Sequence, residues 1–283
     1  MSSAQLLIEK SKTVRTLPHI ATKLVQLMND EESTLQDFEQ VIRLDPTLVA
    51  RLLTLVNSSF YSLSRKVDSI SRAVALMGMK NLHNFVISDA IWKIFRGHSE
   101  MNGFSPERLW LHSAATGTCC KMIAERIFSI NGDDAYLCGI LHDIGLIVIL
   151  DAEPVAFLQL IEQLEPDFPP LITVLEQQLL QTDHCEIGYT LAKNWQMSTP
   201  IAEAIRDHHL DSVSLISPQS PTGILQISEY IIDQLNFSAI NDRIPGQLNT
   251  SLADHIQDNI EEYKVLAADL PEELEKIKDV YGV

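Results

Sequence analysis

The sequence predicts an all-α fold, because apolar residues recur with helical spacing, helix-start signals precede the periodic segments, and strict two-residue alternation is absent. The composition, 46% hydrophobic and 21% charged among 283 residues, is that of an ordinary globular chain. Each of two early segments carries an apolar stripe on one helical face. The spacing i, i+4, i+7, i+8 occurs at Ile20, Leu24, Leu27 and Met28, and again at Leu48, Leu52, Leu55 and Val56.

Helix starts are marked by capping side chains. Three of them stand directly before a proline at the first helical position: Asp45 before Pro46, Ser105 before Pro106 and Thr199 before Pro200. Two pairs have the spacing of a capping box: Thr34 with Asp37, and Asp183 with Glu186. A break near Pro271 is expected in the acidic helical segment 252–281.

The polar, glycine-flanked stretch GHSEMNG at 97–103 predicts a domain boundary. We divide the chain there into an N-terminal helical subdomain, 1–100, and a helical bundle with a C-terminal helical extension, 101–283. The net charge of −17 changes at the same place, since 1–100 holds 12 Lys or Arg against 10 Asp or Glu and 101–283 holds 9 against 28. Such an acidic second part repels phosphate backbones, so no nucleic-acid partner is expected.

Neither a membrane span nor a secretory signal is predicted. The best apolar run, 137–150, is shorter than the roughly 18 residues a span needs and has His142 and Asp143 in its middle. Residues 1–12 lack the basic start and uninterrupted apolar core of a signal peptide. The four cysteines form no C-x-x-C pair, which favours free thiols. We therefore expect a cytoplasmic protein.

The residues that could carry chemistry are histidines on successive predicted helices. A carboxylate in the apolar run 137–150 must be paired or bound to a cation, because burying it alone costs at least several kcal/mol. Imidazole nitrogen and carboxylate oxygen together suit first-row divalent ions, and a helical bundle can assemble them. The candidate metal ligands are His112, His142, Asp143, His184, His208 and His209.

Structural roles explain several of these residues as well. His208 and His209 stand near a predicted helix end, where imidazoles satisfy carbonyl groups, and Asp183 is accounted for as a cap. Cys138 lies one turn before His142, and a single buried cysteine is typically a packing residue. The combination of histidines on four helices favours the metal site.

Several motifs resemble the HDOD family, a group of bacterial signalling output domains related to metal-dependent hydrolases. They cover about 13–209 and include LPHIATKLVQLMND, VIRLDPTLVARLLTLVNSSFY, SISRAVALMGMKNLHNFVIS, LWLHSAATG, LCGILHDIG, HCEIGYTLAKNW and AIRDHH. The resemblance implies an HD-superfamily helical bundle preceded by a smaller helical subdomain. It also implies a role in signal transduction, through a protein partner of a signalling pathway and without demonstrated catalysis.

The resemblance extends to the HD-GYP phosphodiesterases, whose dinuclear centre uses positions matched by the six candidate ligands. It therefore implies one or two divalent ions, with Fe, Mn, Ni, Zn or Mg as candidates. Glu229 stands where those relatives place a further Asp ligand.

Two functions remain open. Cyclic-dinucleotide cleavage is disfavoured, because Leu146 replaces a lysine of the HD-GYP pattern and no Lys or Arg lies between Arg206 and Arg243. A metal-dependent phosphohydrolase acting on a small phosphorylated substrate is the alternative, with Arg206, Lys121 and Arg126 as candidate phosphate-binding cations. The preferred interpretation is an interaction module with little or no catalysis, for which the aromatic-bearing loop NSSFYSLSRK at 57–66 is a candidate contact surface. No catalytic residue is assigned.

Overall fold

The computed structural model describes residues 2–14, 19–28, 30, 32–58, 66–101, 103–164, 171–209, 216–240 and 248–282. Within these residues the predicted all-α fold is confirmed, since the only extended pairing is an isolated bridge between Met101 and Phe104. The helices are α1 Ser3–Lys10, α2 His19–Met28, α3 Leu35–Ile42, α4 Pro46–Asn57, α5 Ile70–Arg96, α6 Pro106–Met122, α7 Asp133–Leu141, α8 Ile144–Ala152, α9 Pro154–Gln163, α10 Ile172–Leu180, α11 His184–Asn194, α12 Thr199–Asp207, α13 Pro221–Gln234, α14 Thr250–Asp258 and α15 Ile260–Tyr281. A π-helical turn, Ile123–Ile127, continues α6.

Most of the predicted caps are present. Asp45 caps α4 and Ser105 caps α6, each by accepting backbone N–H groups of the first turn ahead of a proline. Thr34 and Asp37 form the reciprocal capping box of α3. The cap predicted at Thr199 is wrong: α12 begins at that residue, and Ser198, in an extended conformation, is the flanking position.

Contacts between Cα atoms group the chain into two compact units. One contains Met1–Thr16 and Ile94–Ala268, and the other contains Leu17–Lys93 and Asp269–Val283. Each unit joins segments that are distant in sequence. The division into domains 1–100 and 101–283 stays a prediction.

In the unit that contains α6 to α14, α6 packs against α7 and α13, while α11 packs against α8 and α12. The apolar α8 forms the centre, with every residue from Ile144 to Leu150 buried. The segment after α1 is fixed to the end of α8 by Asp151, which accepts hydrogen bonds from Ser11, Lys12 and Thr13. The core therefore surrounds the apolar run that carries the His-Asp pair.

The unit containing α2 to α4 and most of α5 is held by apolar stripes and one buried ion pair. Leu24, Leu48 and Leu52 are buried as the helical spacing predicts. Asp89, which is 2% exposed at its side chain, pairs with Arg51 and with Lys93. In the same unit, the ring of Tyr281 at the end of α15 packs edge-on against Trp92.

The apolar run is divided between two helices. Asp143 has non-helical backbone angles, φ −98° and ψ 8°, so α7 ends before the His142-Asp143 pair and α8 begins after it. The stretch Asp133–Ala152 is longer than the apolar run 137–150 and, by length and composition only, is apolar enough to cross a membrane. Its most apolar window is 83% buried within the protein, as expected for core helices.

The C-terminal break also differs from the prediction. The chain leaves helical geometry at Asn259, which has φ −121° and separates α14 from α15, and α15 runs on through Pro271. The Asn259 side-chain amide donates to the carbonyl of His255, which satisfies the end of α14 locally. A proline within α15 removes one backbone donor, and α15 remains helical on either side of it.

Candidate metal centre

The predicted ligands come from helix ends and helix breaks around the buried α7–α8 pair. His112 projects from the middle of α6, His142 and Asp143 occupy the break between α7 and α8, His184 is the first residue of α11, and His208 follows α12. All five are buried, with exposures between 0% and 6%. Five ionisable side chains in an apolar core require mutual pairing or a cation.

The Asp143 carboxylate is at the centre of the cluster. Its Oδ2 lies 3.1 Å from Nε2 of His142 and 3.7 Å from Nε2 of His112. Its Oδ1 lies 3.6 Å from Nε2 of His184 and 3.7 Å from Nε2 of His208, and Oδ1 accepts no hydrogen bond among the described residues. The two oxygens therefore face two different pairs of imidazoles.

Each imidazole is oriented by its other nitrogen. Nδ1 of His142 lies 2.8 Å from the carbonyl of Gly139, and Nδ1 of His208 lies 2.7 Å from that of Ile205. His112 makes the same kind of contact, at 3.2 Å, with the carbonyl of Phe237. A carbonyl only accepts, so these contacts assign a proton to Nδ1 and direct Nε2 toward Asp143. Such second hydrogen bonds typically orient metal-binding histidines.

The Nε2 atoms approach one another closely. His112 and His142 are 3.3 Å apart at Nε2, and His184 and His208 are 3.4 Å apart. Two neutral imidazoles with their lone pairs directed at each other repel, so each pair needs a shared proton or cation. Either would be stabilised by the carboxylate between them.

The electrostatics agree with a cation-attracting cluster. Burial by itself would raise the pKa of Asp143, but His142 and the other imidazoles outweigh burial and hold that pKa well below its ordinary value. Burial also opposes protonation of His142, yet Asp143 outweighs it and raises the pKa of His142. Burial, and next the charge of His142, lower the pKa of His112. Asp143 is thus a persistent buried anion.

Glu229 and His209 extend the cluster on opposite sides. Oε1 of Glu229, on α13, lies 3.5 Å from Nε2 of His142, and the glutamate forms a metal-capable group with His112 and His142. His209 forms another such group with His184, Cys185 and His208, all ligand atoms lying within 4.8 Å of one another. The six predicted ligands are brought together, and the binding of metal by them stays a prediction.

Two residues of the cluster were not predicted. Glu176, on α10 and fully buried, accepts from both Nδ1 and the backbone N–H of His184, at 2.7 and 3.0 Å. Cys185 places Sγ 3.5 Å from Nε2 of His184. In the sequence, only its position next to His184 indicated Cys185 as a candidate. Glu176 is separated from His184 by the turn between α10 and α11, so no such signal indicated it. Cys138, the cysteine considered from sequence, is buried but belongs to none of the metal-capable groups.

Two of the three cations proposed to hold a phosphate are engaged with carboxylates. The guanidinium of Arg206 donates to Asp207 at 2.6 and 2.8 Å and lies over the ring of Tyr189. The ammonium of Lys121 lies 3.3 Å from Asp133. Most of the candidate interaction loop, 59–65, lies outside the described residues.

The HDOD domain model matches residues 14–210, and the chain belongs to the HDOD domain family. An uncharacterized protein of Treponema pallidum (strain Nichols) is 30% identical over 202 residues, which is 68% of this chain. The match spans 37% of that relative's length. All the residues of the cluster except Glu229 lie within the matched family region.

Two solved structures share the fold. A Shewanella amazonensis SB2B protein, provisionally named a phosphohydrolase, superposes with a TM-score of 0.69 at 24% identity, covering 99% of this chain and 96% of that one. A Marinobacter aquaeolei VT8 protein, provisionally named a signal transduction protein, gives 0.75 at 19% identity, covering 99% of this chain and 64% of the other. At these identities the likeness establishes the helical architecture.

Proposed function

We propose that this chain is a bacterial signal-transduction module of the HDOD type whose bundle core binds one or two divalent ions, and that it acts through contact with a protein partner, with little or no catalysis. The observation that carries the proposal is the enclosure of Asp143 by four Nε2 atoms. A buried carboxylate surrounded by four imidazole nitrogens is a donor set that suits a divalent metal ion.

The arrangement around Asp143 supports one set of ligands on each side of its carboxylate. His112, His142 and Glu229 would hold an ion on the Oδ2 side of Asp143, and His184, His208 and His209 would hold one on the Oδ1 side. The second bonds from Gly139, Ile205 and Glu176 would keep the imidazoles in place before the ion arrives. A bound ion there would supply Lewis-acid chemistry or act as a structural brace.

Little catalysis is expected for reasons of charge and access. Phosphoryl transfer needs positive groups on the phosphate besides the metal. Arg206 and Lys121 are paired with carboxylates, and the strong acidic excess of 101–283 repels an anionic substrate. All the proposed ligands except His209 are 0–6% exposed, which favours a closed site over an open one.

A metal-dependent phosphohydrolase acting on a small phosphorylated substrate is the alternative. It is favoured by the donor set itself, which fits an ion able to activate water, and by His209, which is less buried than its neighbours. The name of the Shewanella neighbour is in keeping with this alternative.

We further propose a cytoplasmic location and no nucleic-acid or membrane partner.

The two functions separate in one experiment on the purified full chain. Metal content is measured by elemental analysis, and thermal unfolding is followed with and without Mn²⁺, Fe²⁺ or Zn²⁺. An ion at 100 times its dissociation constant should stabilise the chain by about 2.7 kcal/mol. The double variant His142→Ala, Asp143→Ala should lose this stabilisation, and His255→Ala, a part-buried histidine outside the cluster, should keep it.

Turnover is then screened with generic phosphomonoesters and phosphodiesters in the same metal-loaded samples. Metal binding without turnover supports the regulatory proposal. Turnover that vanishes in the double variant supports the phosphohydrolase instead. If neither metal content nor metal-dependent stabilisation is found in the native chain, the metal site itself is refuted.

A further inference from the structure

We propose that the part of the cluster formed by His184, Cys185, His208 and His209 is a mixed thiolate–imidazole site for a tetrahedral zinc ion. The proposal rests on the proposed function, because it concerns the same metal-capable cluster. It adds a sulfur ligand that histidine spacing did not predict. A sulfur ligand also makes the ligand sets on the two sides of Asp143 chemically different.

Two distances within this group fit a tetrahedral ion. With Zn–N of about 2.0–2.1 Å and Zn–S of about 2.3 Å, tetrahedral angles separate two nitrogen ligands by about 3.3–3.4 Å and a nitrogen from a sulfur by about 3.5–3.6 Å. Nε2 of His184 and Nε2 of His208 are 3.4 Å apart. Sγ of Cys185 and Nε2 of His184 are 3.5 Å apart. Both separations match the edges of such a tetrahedron.

The surroundings favour a built site over a chance contact. His184 and Cys185 open α11, whose first turn is capped by Asp183, and Glu176 holds the His184 ring through Nδ1. Cys185 is 5% exposed and His208 is 1% exposed, so water does not compete for the thiol. Four ligand atoms lie within 4.8 Å of one another, which is the number that a closed tetrahedral zinc site requires.

The ligand chemistry selects the ion. Thiolate and imidazole together suit zinc, whereas magnesium and manganese prefer oxygen ligands. On the other side of Asp143, the group of His112, His142 and Glu229 offers only nitrogen and oxygen. Binding exchanges the S–H bond of Cys185 for a sulfur–zinc bond, and the displaced proton passes to the buffer. Zinc should therefore occupy the sulfur side first.

Cobalt(II) is the probe that tests the sulfur ligand. Titration of the native chain with Co²⁺ alone should produce a near-ultraviolet thiolate-to-cobalt charge-transfer band together with visible bands of tetrahedral intensity. Cys185→Ser should lose the charge-transfer band. Cys138→Ser is the matched control, because Cys138 is also buried but lies outside the group, and it should keep the band. A simple S–H···N hydrogen bond from Cys185 to His184 predicts no such band in any sample.

Zinc affinity gives a second measurement. In chelator competition, Cys185→Ser should bind Zn²⁺ more than about 100-fold more weakly, since losing even a supporting partner of a ligand costs 10–100-fold. It should also release fewer protons per zinc ion than the native chain. Stabilisation by Mn²⁺ should change far less, because manganese has little preference for sulfur.

The outcomes separate this proposal from the proposed function. If the native protein binds Co²⁺ without a charge-transfer band, the assignment of sulfur as a ligand is refuted and the proposed metal site is not. This result does not depend on whether any variant folds. Native protein that binds no divalent ion overturns both. A band that persists in Cys185→Ser, or one that disappears equally in Cys138→Ser, also overturns the assignment.

Discussion

Gly145→Ala tests whether the metal centre depends on the close approach of α8 to α11. A Cβ built on Gly145 would lie 2.7 Å from both Cα and the carbonyl carbon of His184, and nearer still to its oxygen. Ordinary van der Waals contact begins at 3.4 Å, so the two backbones must separate by at least about 0.7 Å. Neither neighbour is a side chain that can rotate away. Overpacking of this kind costs about 1–3 kcal/mol.

Gly145→Ala should weaken metal binding as well as folding. A displacement of about 0.7 Å is several times the roughly 0.2 Å tolerance of a metal–ligand distance, so the ligand at His184 should be lost. We expect zinc affinity, measured by chelator competition, to fall more than about tenfold. Gly103→Ala is the control, because its φ of +84° makes alanine strained by about 1–3 kcal/mol while a Cβ there meets nothing within 4 Å. Equal zinc affinity in Gly145→Ala and the native chain would refute the reasoning.

Three further predictions concern single carboxylates. Glu176→Gln should weaken zinc binding about 10–100-fold in chelator competition, because it removes the charge that orients His184; unchanged affinity would show that the contact at 2.7 Å is incidental. Asp89→Asn should lower the free energy of urea unfolding by about 2–4 kcal/mol, because Asp89 is buried and its charge is paired with Arg51; a loss under about 0.5 kcal/mol would contradict this. Burial would raise the pKa of Asp151, but hydrogen bonds from residues 11–13 outweigh burial and lower that pKa. The stabilisation by ionised Asp151 is therefore present at neutral pH and is lost as the pH falls below about 4. Acid unfolding of Asp151→Asn should therefore show a smaller loss of stability between about pH 6 and about pH 3 than the native chain, and identical profiles would count against it.

Much of the helical architecture could be predicted because its signals are local. A cap followed by a proline, as at Asp45 and Ser105, depends on a few neighbouring residues and appeared as predicted. The prediction of a break at Pro271 is wrong, because the φ of proline is compatible with a helix and packing can keep the residues on both sides of a proline helical. Asn259 carries a weaker signal in the sequence, yet its side chain ends α14.

The candidate site was predictable where histidine itself is rare and informative. Histidines on successive helices, with one carboxylate in an apolar run, indicated the residues that surround Asp143. Glu176 and Cys185 do not stand out from the surrounding sequence in this way, because a glutamate in a helix is usually exposed to solvent and a buried cysteine is usually a packing residue. Their positions depend on how α10 and α11 meet, which no spacing along the chain encodes.

The glycines on the helices of the cluster explain how side chains from separate helices come within ligand distance. A Cβ on Gly139 of α7 would lie 2.7 Å from the carbonyl carbon of Thr116 on α6, so the two backbones cross almost in contact. His112 lies one turn before that crossing on α6 and His142 lies beyond it, directly after α7, which sets their Nε2 atoms 3.3 Å apart. Gly145 has the same effect on the other side of Asp143, where α8 meets the first residue of α11. Larger residues at either crossing would separate the helices and leave the carboxylate facing imidazoles too distant to share an ion, so Gly139 and Gly145 are as necessary to the centre as its ligands.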